Sequence, residues 1–191
     1  SLGFVSEIKN LCFAGDAADH FAVIGDDWAA LCRVQNNNFI IISQPVINQP
    51  IDAYALSNTP EFGWCLTIAS NNRLFADRLS NGAEVFDVNL PEYIVPVNDL
   101  AYAGHDPIGD NELGSRFCLV GGSGNSWVHV TNVAGDSLYA RTAGDCGLIK
   151  NPLSLDLLGN GYYGFVVSVL TCVNNFGGYD EELWHISYSH D

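Results

Sequence analysis

Four times along the chain a short apolar strand gives way to a second one led by an aromatic residue, and then to a third. The second strands read Phe21-Ala22-Val23-Ile24-Gly25, Trp64-Cys65-Leu66-Thr67-Ile68, Phe117-Cys118-Leu119-Val120-Gly121 and Phe165-Val166-Val167-Ser168-Val169, about 43, 53 and 48 residues apart. A repeat of this kind restricts the fold more than any single residue does. One repeat cannot bury both faces of a continuously apolar strand, so neighbouring repeats must stack and share a core.

Within each repeat the pattern predicts four antiparallel strands. In the third they are Asp99–Gly104, Arg116–Gly121, Trp127–Val130 and Leu138–Arg141, with Gly122-Ser123-Gly124-Asn125 and Ala134-Gly135-Asp136 as turns. The first repeat holds a near copy of that first strand, Asn10-Leu11-Cys12-Phe13-Ala14-Gly15, followed by Trp28–Val34, an Asn36-Asn37-Asn38 turn and Phe39–Ser43. The second gives Asp52–Leu56, Trp64–Ile68, Arg73–Arg78 and Glu84–Val88, with Asn81-Gly82 read as a two-residue hairpin turn. The fourth gives Leu155–Leu158, Phe165–Leu170 and Leu183–Tyr188, and its outer strand is missing. Leu2–Ser6 has no role in the first repeat and is free to supply that strand, which would close the ring and remove its edges. Apart from one helical turn at Asp16–Asp19, no segment keeps a helical period.

The period and strand count predict an all-β fold: a β-propeller of four blades, four antiparallel strands each, closed by the N-terminal strand or forming part of a six- to eight-bladed ring completed by another chain or by further sequence. The blades fall at about 7–48, 49–94, 95–147, and 148–191 together with 1–6. Asn71–Val85 and Ser126–Asp136, each a polar turn, an apolar strand and a Gly-containing turn, resemble the third-to-fourth strand passage of WD-repeat propellers, although neither stretch carries the Gly-His or Trp-Asp dipeptide of that family. The resemblance implies a rigid protein-binding platform. Asp156–Val167 looks like the calcium loop of integrin-type blades, but Asp156 is its one acid and Gly164 stands where a closing acid is expected.

Charge excludes several classes of function. With 22 carboxylates against seven Lys and Arg, the chain carries a net charge of −15. Such a chain cannot displace counterions from a nucleic-acid backbone, and an anionic membrane repels it. No stretch is long and apolar enough to span a bilayer, so membrane insertion is not expected. The six cysteines occupy apolar strand or loop-flanking positions, with no Cys-x-x-Cys pair and no His at zinc-ligand spacing. Reduced, buried thiols are expected, Cys146 and Cys172 being the exceptions to watch. That reading and the lack of Asn-x-Ser/Thr sequons favour a cytoplasmic over an extracellular setting.

Three candidate chemistries remain. His20 near Asp16 and Asp19, His105 beside Asp106, and His129 on a strand are each able to act as a base, yet adjacency alone builds no constellation. Ser123 lacks the strand-to-helix elbow that activates a nucleophile, so no catalytic residue is assigned. Asp106, Asp110 and Glu112 form the best cluster of hard oxygen donors for calcium, in a loop where solvated acids are common; otherwise no cofactor is expected. Trp28, Trp127 and Trp184 are read as matched starts of third strands, with Leu74 in the second repeat and Asp27, Asn125 and Glu182 alongside. They either pack between blades or line a ligand site.

The chain is therefore read as a non-enzymatic recognition or assembly module for a protein partner, its binding faces built from loops such as Asp16–His20, His105–Glu112 and Asn174–Asp180. A carbohydrate-binding propeller is the alternative, and a coat or shell subunit, with self-association, the third.

Overall fold

The computed structural model describes residues 7–13, 19–47, 49–105, 114–144, 147–155, 163–172 and 179–188. Four antiparallel sheets follow one another in chain order. The first contains β1 (Asn10–Phe13), β2 (His20–Ile24), β3 (Ala29–Gln35) and β4 (Asn38–Ser43). The second contains β5 (Ala53–Thr59), β6 (Gly63–Ser70), β7 (Arg73–Arg78) and β8 (Glu84–Asn89). The third contains β9 (Val97–His105), β10 (Ser115–Gly121), β11 (Trp127–Asn132) and β12 (Ser137–Thr142). In the fourth, β13 (Leu148–Leu155), β14 (Tyr163–Cys172) and β15 (Tyr179–Tyr188) form a three-stranded sheet. Each sheet pairs its strands in sequence order, the up-and-down meander of a propeller blade.

The second strands are mostly apolar, and in the first three sheets both of their faces are buried. On β10, Phe117 and Leu119 pack toward the second sheet with Leu74, Ala76 and Phe86, while Cys118 and Val120 pack toward the fourth with Ile149, Val167 and Val169. On β6, Leu66 and Ile68 meet Ala22, Ile24, Ala29 and Leu31 of the first sheet, while Cys65 and Ala69 join the cluster shared with the third. A side-chain period of two thus sends alternate residues into two different cores. Three apolar layers hold four sheets in a row.

Turn chemistry follows the sequence with one exception. Asn36 and Asn37 lie in the left-handed region at φ 52° and 61°, as an Asn-rich hairpin turn requires. The Asn81-Gly82 turn is a longer loop: β7 ends at Arg78 and β8 starts at Glu84, with the Gly82 amide bonded back to the Arg78 carbonyl and the Ala83 amide to the Asn81 side chain. The tight two-residue hairpin is instead Asn71-Asn72, between paired Ser70 and Arg73. Leu79 explains the difference. Its side chain is fully buried in the core shared with the first sheet, so the chain continues inward before it turns.

The fourth repeat departs further. Its first strand is Leu148–Leu155, ahead of the expected Leu155–Leu158, because the Lys150-Asn151-Pro152 stretch is accommodated by a register shift between Lys150 and Leu153. Leu2–Ser6, the expected closing strand, and the expected helical turn at Asp16–Asp19, all but its last residue, lie outside the described residues. Between the second and third sheets a single 3-10 turn, Glu92–Ile94, follows Pro91 and places Tyr93 against β11. The Val95-Pro96 peptide bond after it is cis.

Glycines close two of the second strands. A Cβ on Gly121 would lie 2.3 Å from the carbonyl oxygens of both Ile94 and Pro96, and one on Gly25 would enter the Trp28 indole. Backbone oxygens cannot withdraw as a flexible side chain can. Gly121→Ala is therefore expected to lower stability by about 1–3 kcal/mol, measured as a fall in the urea midpoint at unchanged slope.

His129 supplies a second test. It is fully buried, its Nδ1 sits 2.8 Å from the Tyr93 hydroxyl, and desolvation lowers its pKa from 6.5 to about 4. A folded pKa below the unfolded one means the contribution is whole above pH 6.5 and is lost as pH falls through about 4. Acid titration of thermal stability is expected to show this loss, and His129→Gln, which cannot titrate, to flatten it.

Candidate functional site

A cleft lined by charged and apolar side chains lies between the first two blades. Its volume is about 360 Å³, and it is walled by Ser43–Val46 on one side and by Arg73, Phe75, Asp77, Gly82 and Glu84 on the other. Residues 73, 75 and 77 alternate along β7 and so share one face of the strand. Glu84 stands directly opposite Asp77 in the β7–β8 register. Across the cleft the chain leaves β4 through Gln44-Pro45-Val46, where Pro45 ends strand pairing and Val46 is exposed.

The three ionisable groups on this wall differ in their surroundings. Arg73 reaches β8, donating through Nε to Asp87 at 3.1 Å and through a second nitrogen to its other oxygen. Its guanidinium also lies 5.3 Å from the centre of the Phe75 ring. Asp77 is only 7% exposed and makes no hydrogen bond or ion pair with the described residues. Burial, reinforced by the negative charge of Glu84, raises its pKa to about 6.

The tryptophans singled out from sequence do not come together. Trp28, just ahead of β3, packs with Phe21, Val23, Ala30 and Cys32 on the face of the first sheet turned away from the second. Trp127 begins β11 and stacks on Tyr93 at 4.7 Å between the second and third sheets. Trp184 does not begin a third strand. It sits mid-way along β15, paired with Val167, and packs toward the third sheet. There Arg141 lies 3.8 Å from its ring centre, and its indole N–H donates to Glu182 at 2.8 Å. The expected equivalence fails because β15 begins five residues earlier, at Tyr179. Leu74 is fully buried, Asp27 is exposed and Asn125 half-buried in turns.

The histidines are likewise dispersed. His20 pairs at the surface with Asp19 at 2.8 Å, and His129 is enclosed in the core. The side chain of His105, and the oxygen cluster Asp106, Asp110 and Glu112, lie outside the described residues, as does the calcium-loop stretch 156–162. Among the described residues no three His, Cys, Asp or Glu side chains are grouped to hold a metal ion. Cys12, Cys32, Cys65 and Cys118 are free thiols whose pKa values burial raises, that of Cys65 to about 11. They behave as small core residues. The side chains of Cys146 and Cys172 lie outside the described residues.

Sequence reasoning missed the cleft. The Arg73-x-Phe75-x-Asp77 alternation, with acidic Glu84 across the turn, was its one visible sign, because charges flanking an aromatic residue on one face of a strand demand an explanation.

The sheet order and packing define a WD40-like β-propeller. Two solved structures carry the same arrangement. The WD40 domain of SCAP from fission yeast matches at a TM-score of 0.54 and 12% identity, over 94% of this chain and 44% of that one. The complex of the fission yeast SREBP and SCAP binding domains matches at a TM-score of 0.51 and 12% identity, over 95% of this chain and 50% of that one. The chain thus spans about half the length of these structures. No family model matches it, and no curated protein matches it in sequence. No helix among the described residues is long and apolar enough to cross a membrane.

The buried acid of the cleft yields a prediction. Its raised pKa means that Asp77 favours the fold while protonated and opposes it as pH rises from 3.8 through about 6. Asp77→Asn is expected to raise stability at pH 7.5 by up to about 2–3 kcal/mol and to leave it nearly unchanged at pH 4, as read from denaturant midpoints.

Proposed function

We propose that this chain is a non-enzymatic protein-recognition and assembly module, and that a partner polypeptide packs on the outward face of its first blade. The observation that carries this reading is the apolar character of that face. Leu11 pairs with Val23, Cys32 with Ile41, and Val34 with Phe39, so all six share one side of the first sheet. This side points away from the core shared with the second sheet.

Near the middle of the face Val23 and Cys32 are buried, but toward its edges Leu11 is 45% exposed and Phe39 77%, with Val34 and Ile41 exposed between. Phe39 also stacks edge-on against Phe21 at 5.7 Å, which holds its ring in place. The exposed apolar cluster of Val34, Phe39 and Ile41 at one edge of the face is suited to an interaction site. At the opposite end of the stack, Leu183 pairs with Ser168 on the side of β15 away from the third sheet and is 76% exposed. Apolar residues of the intervening layers are covered by the next blade. The chain spans about half the length of the solved structures it resembles. One of those structures is itself a complex of two binding domains. A carbohydrate reading rests on Trp28, Trp127 and Trp184, and each of those rings is half-buried against a separate apolar cluster.

The test compares oligomeric state with surface chemistry. Isolated from its native source, the chain is expected to elute in fixed stoichiometry with a partner, either another protein or a second copy, cross-linked to residues of β4. Phe39→Asp combined with Ile41→Asp is expected to release that partner while leaving the circular dichroism spectrum unchanged. A bare monomer by native mass, or a double variant that keeps its partner, overturns the reading.

A further inference from the structure

The cleft between the first two blades lies on the opposite side of the first sheet from the apolar face described above, and it carries a separate inference. We propose that it is a binding site for a Lys or Arg side chain presented by a partner polypeptide.

The argument starts from a charge without a counterion. Asp77 is 93% buried by the complement of its 7% exposure, lines the cleft, and has no hydrogen-bond or ion-pair partner among the described residues. A buried carboxylate left this way costs several kcal/mol unless it is paired or protonated. Its cross-strand neighbour adds to that cost, since Glu84 directly opposite is a second acid, and like charges in register repel. The cation on the same wall cannot relieve either of them. Arg73 is committed to Asp87 by two hydrogen bonds and held over Phe75. What the site lacks is one positive charge.

The walls specify what kind of cation. Pro45, Val46 and Phe75 offer an apolar lining suited to an aliphatic stem, with the two carboxylates at its end. Ser43 adds a hydroxyl to the same lining. A volume of about 360 Å³ accommodates a long side chain together with the backbone that bears it. A metal ion fits poorly, because calcium asks for six or more oxygens and among the described residues no third acid joins Asp77 and Glu84. The exposure of Val46 at the mouth and the net charge of −15 both favour approach by a cationic segment.

The probe is N-acetyl-lysine methylamide or N-acetyl-arginine methylamide, titrated into the intact chain and followed by amide and side-chain carboxyl NMR shifts. Saturable changes are expected at Val46, Asp77 and Glu84. Norleucine and citrulline counterparts are expected to bind at least about tenfold more weakly, and so is the cationic probe to Asp77→Asn. Glu84→Gln, at an exposed position, is expected to weaken binding without disturbing the fold. Equal response to the neutral counterparts, an unchanged affinity in both variants, or no saturable change overturns the proposal. The readout uses no protein partner, so its failure leaves the apolar-face reading intact, and loss of a partner from the Phe39 and Ile41 variant leaves this one intact.

Discussion

The first three sheets of this protein depend on the burial of their second strand from both sides. Ala22 and Ile24, Leu66 and Ile68, and Phe117 and Leu119 each face one neighbour, while Val23, Cys65 and Ala69, and Cys118 and Val120 face the other way. At roughly 25 cal/mol per Å² of apolar surface removed from water, that double burial outweighs any single polar contact in the structure. It also dictates composition. A strand with a core on each face leaves little room for a charge, and the one buried acid among the described residues is Asp77.

Asp77 is the exception, and the exception is informative. It sits on an otherwise buried strand, where the two-sided core tolerates it only because the Ser43–Val46 segment stands off and leaves a cleft. The carboxyl is thus desolvated without being enclosed. Arg73, two residues away, shows the alternative outcome, since its guanidinium reaches past the cleft to Asp87 and is satisfied there. The same strand face therefore holds one neutralised charge and one that is not. Chemistry with a partner belongs to the second.

The end blades follow the same physics with a different result. The rule that an apolar strand face needs a neighbour is met three times within the chain, and at the first blade it is met only in the middle of the sheet. Trp28 and Phe21 partly cover that face, and Gly25 makes room for the indole, but Phe39 on the outer strand projects beyond their reach. The first sheet thus obeys the burial rule in its middle and leaves Phe39 exposed on its outer strand.

How much of this was legible beforehand depends on the range of the interaction. The period of about 50 residues, the aromatic-led second strands, the left-handed Asn36-Asn37 turn and the strand Arg73–Arg78 are local properties, set by side-chain alternation and backbone sterics, and the amino-acid sequence determined them. The buried free thiols at Cys65 and Cys118 follow from the same repeat. Sequence misread Trp184, because an aromatic residue says that a strand is amphipathic without saying where the strand begins. It misread the Asn81-Gly82 turn because Leu79 is drawn into a core supplied by another blade. The Asp77–Glu84 cleft and the apolar face of the first blade were likewise decided only in three dimensions. Whether a carboxylate finds a cation, or a phenylalanine a cover, depends on segments tens of residues away, and only the tertiary structure sets those distances.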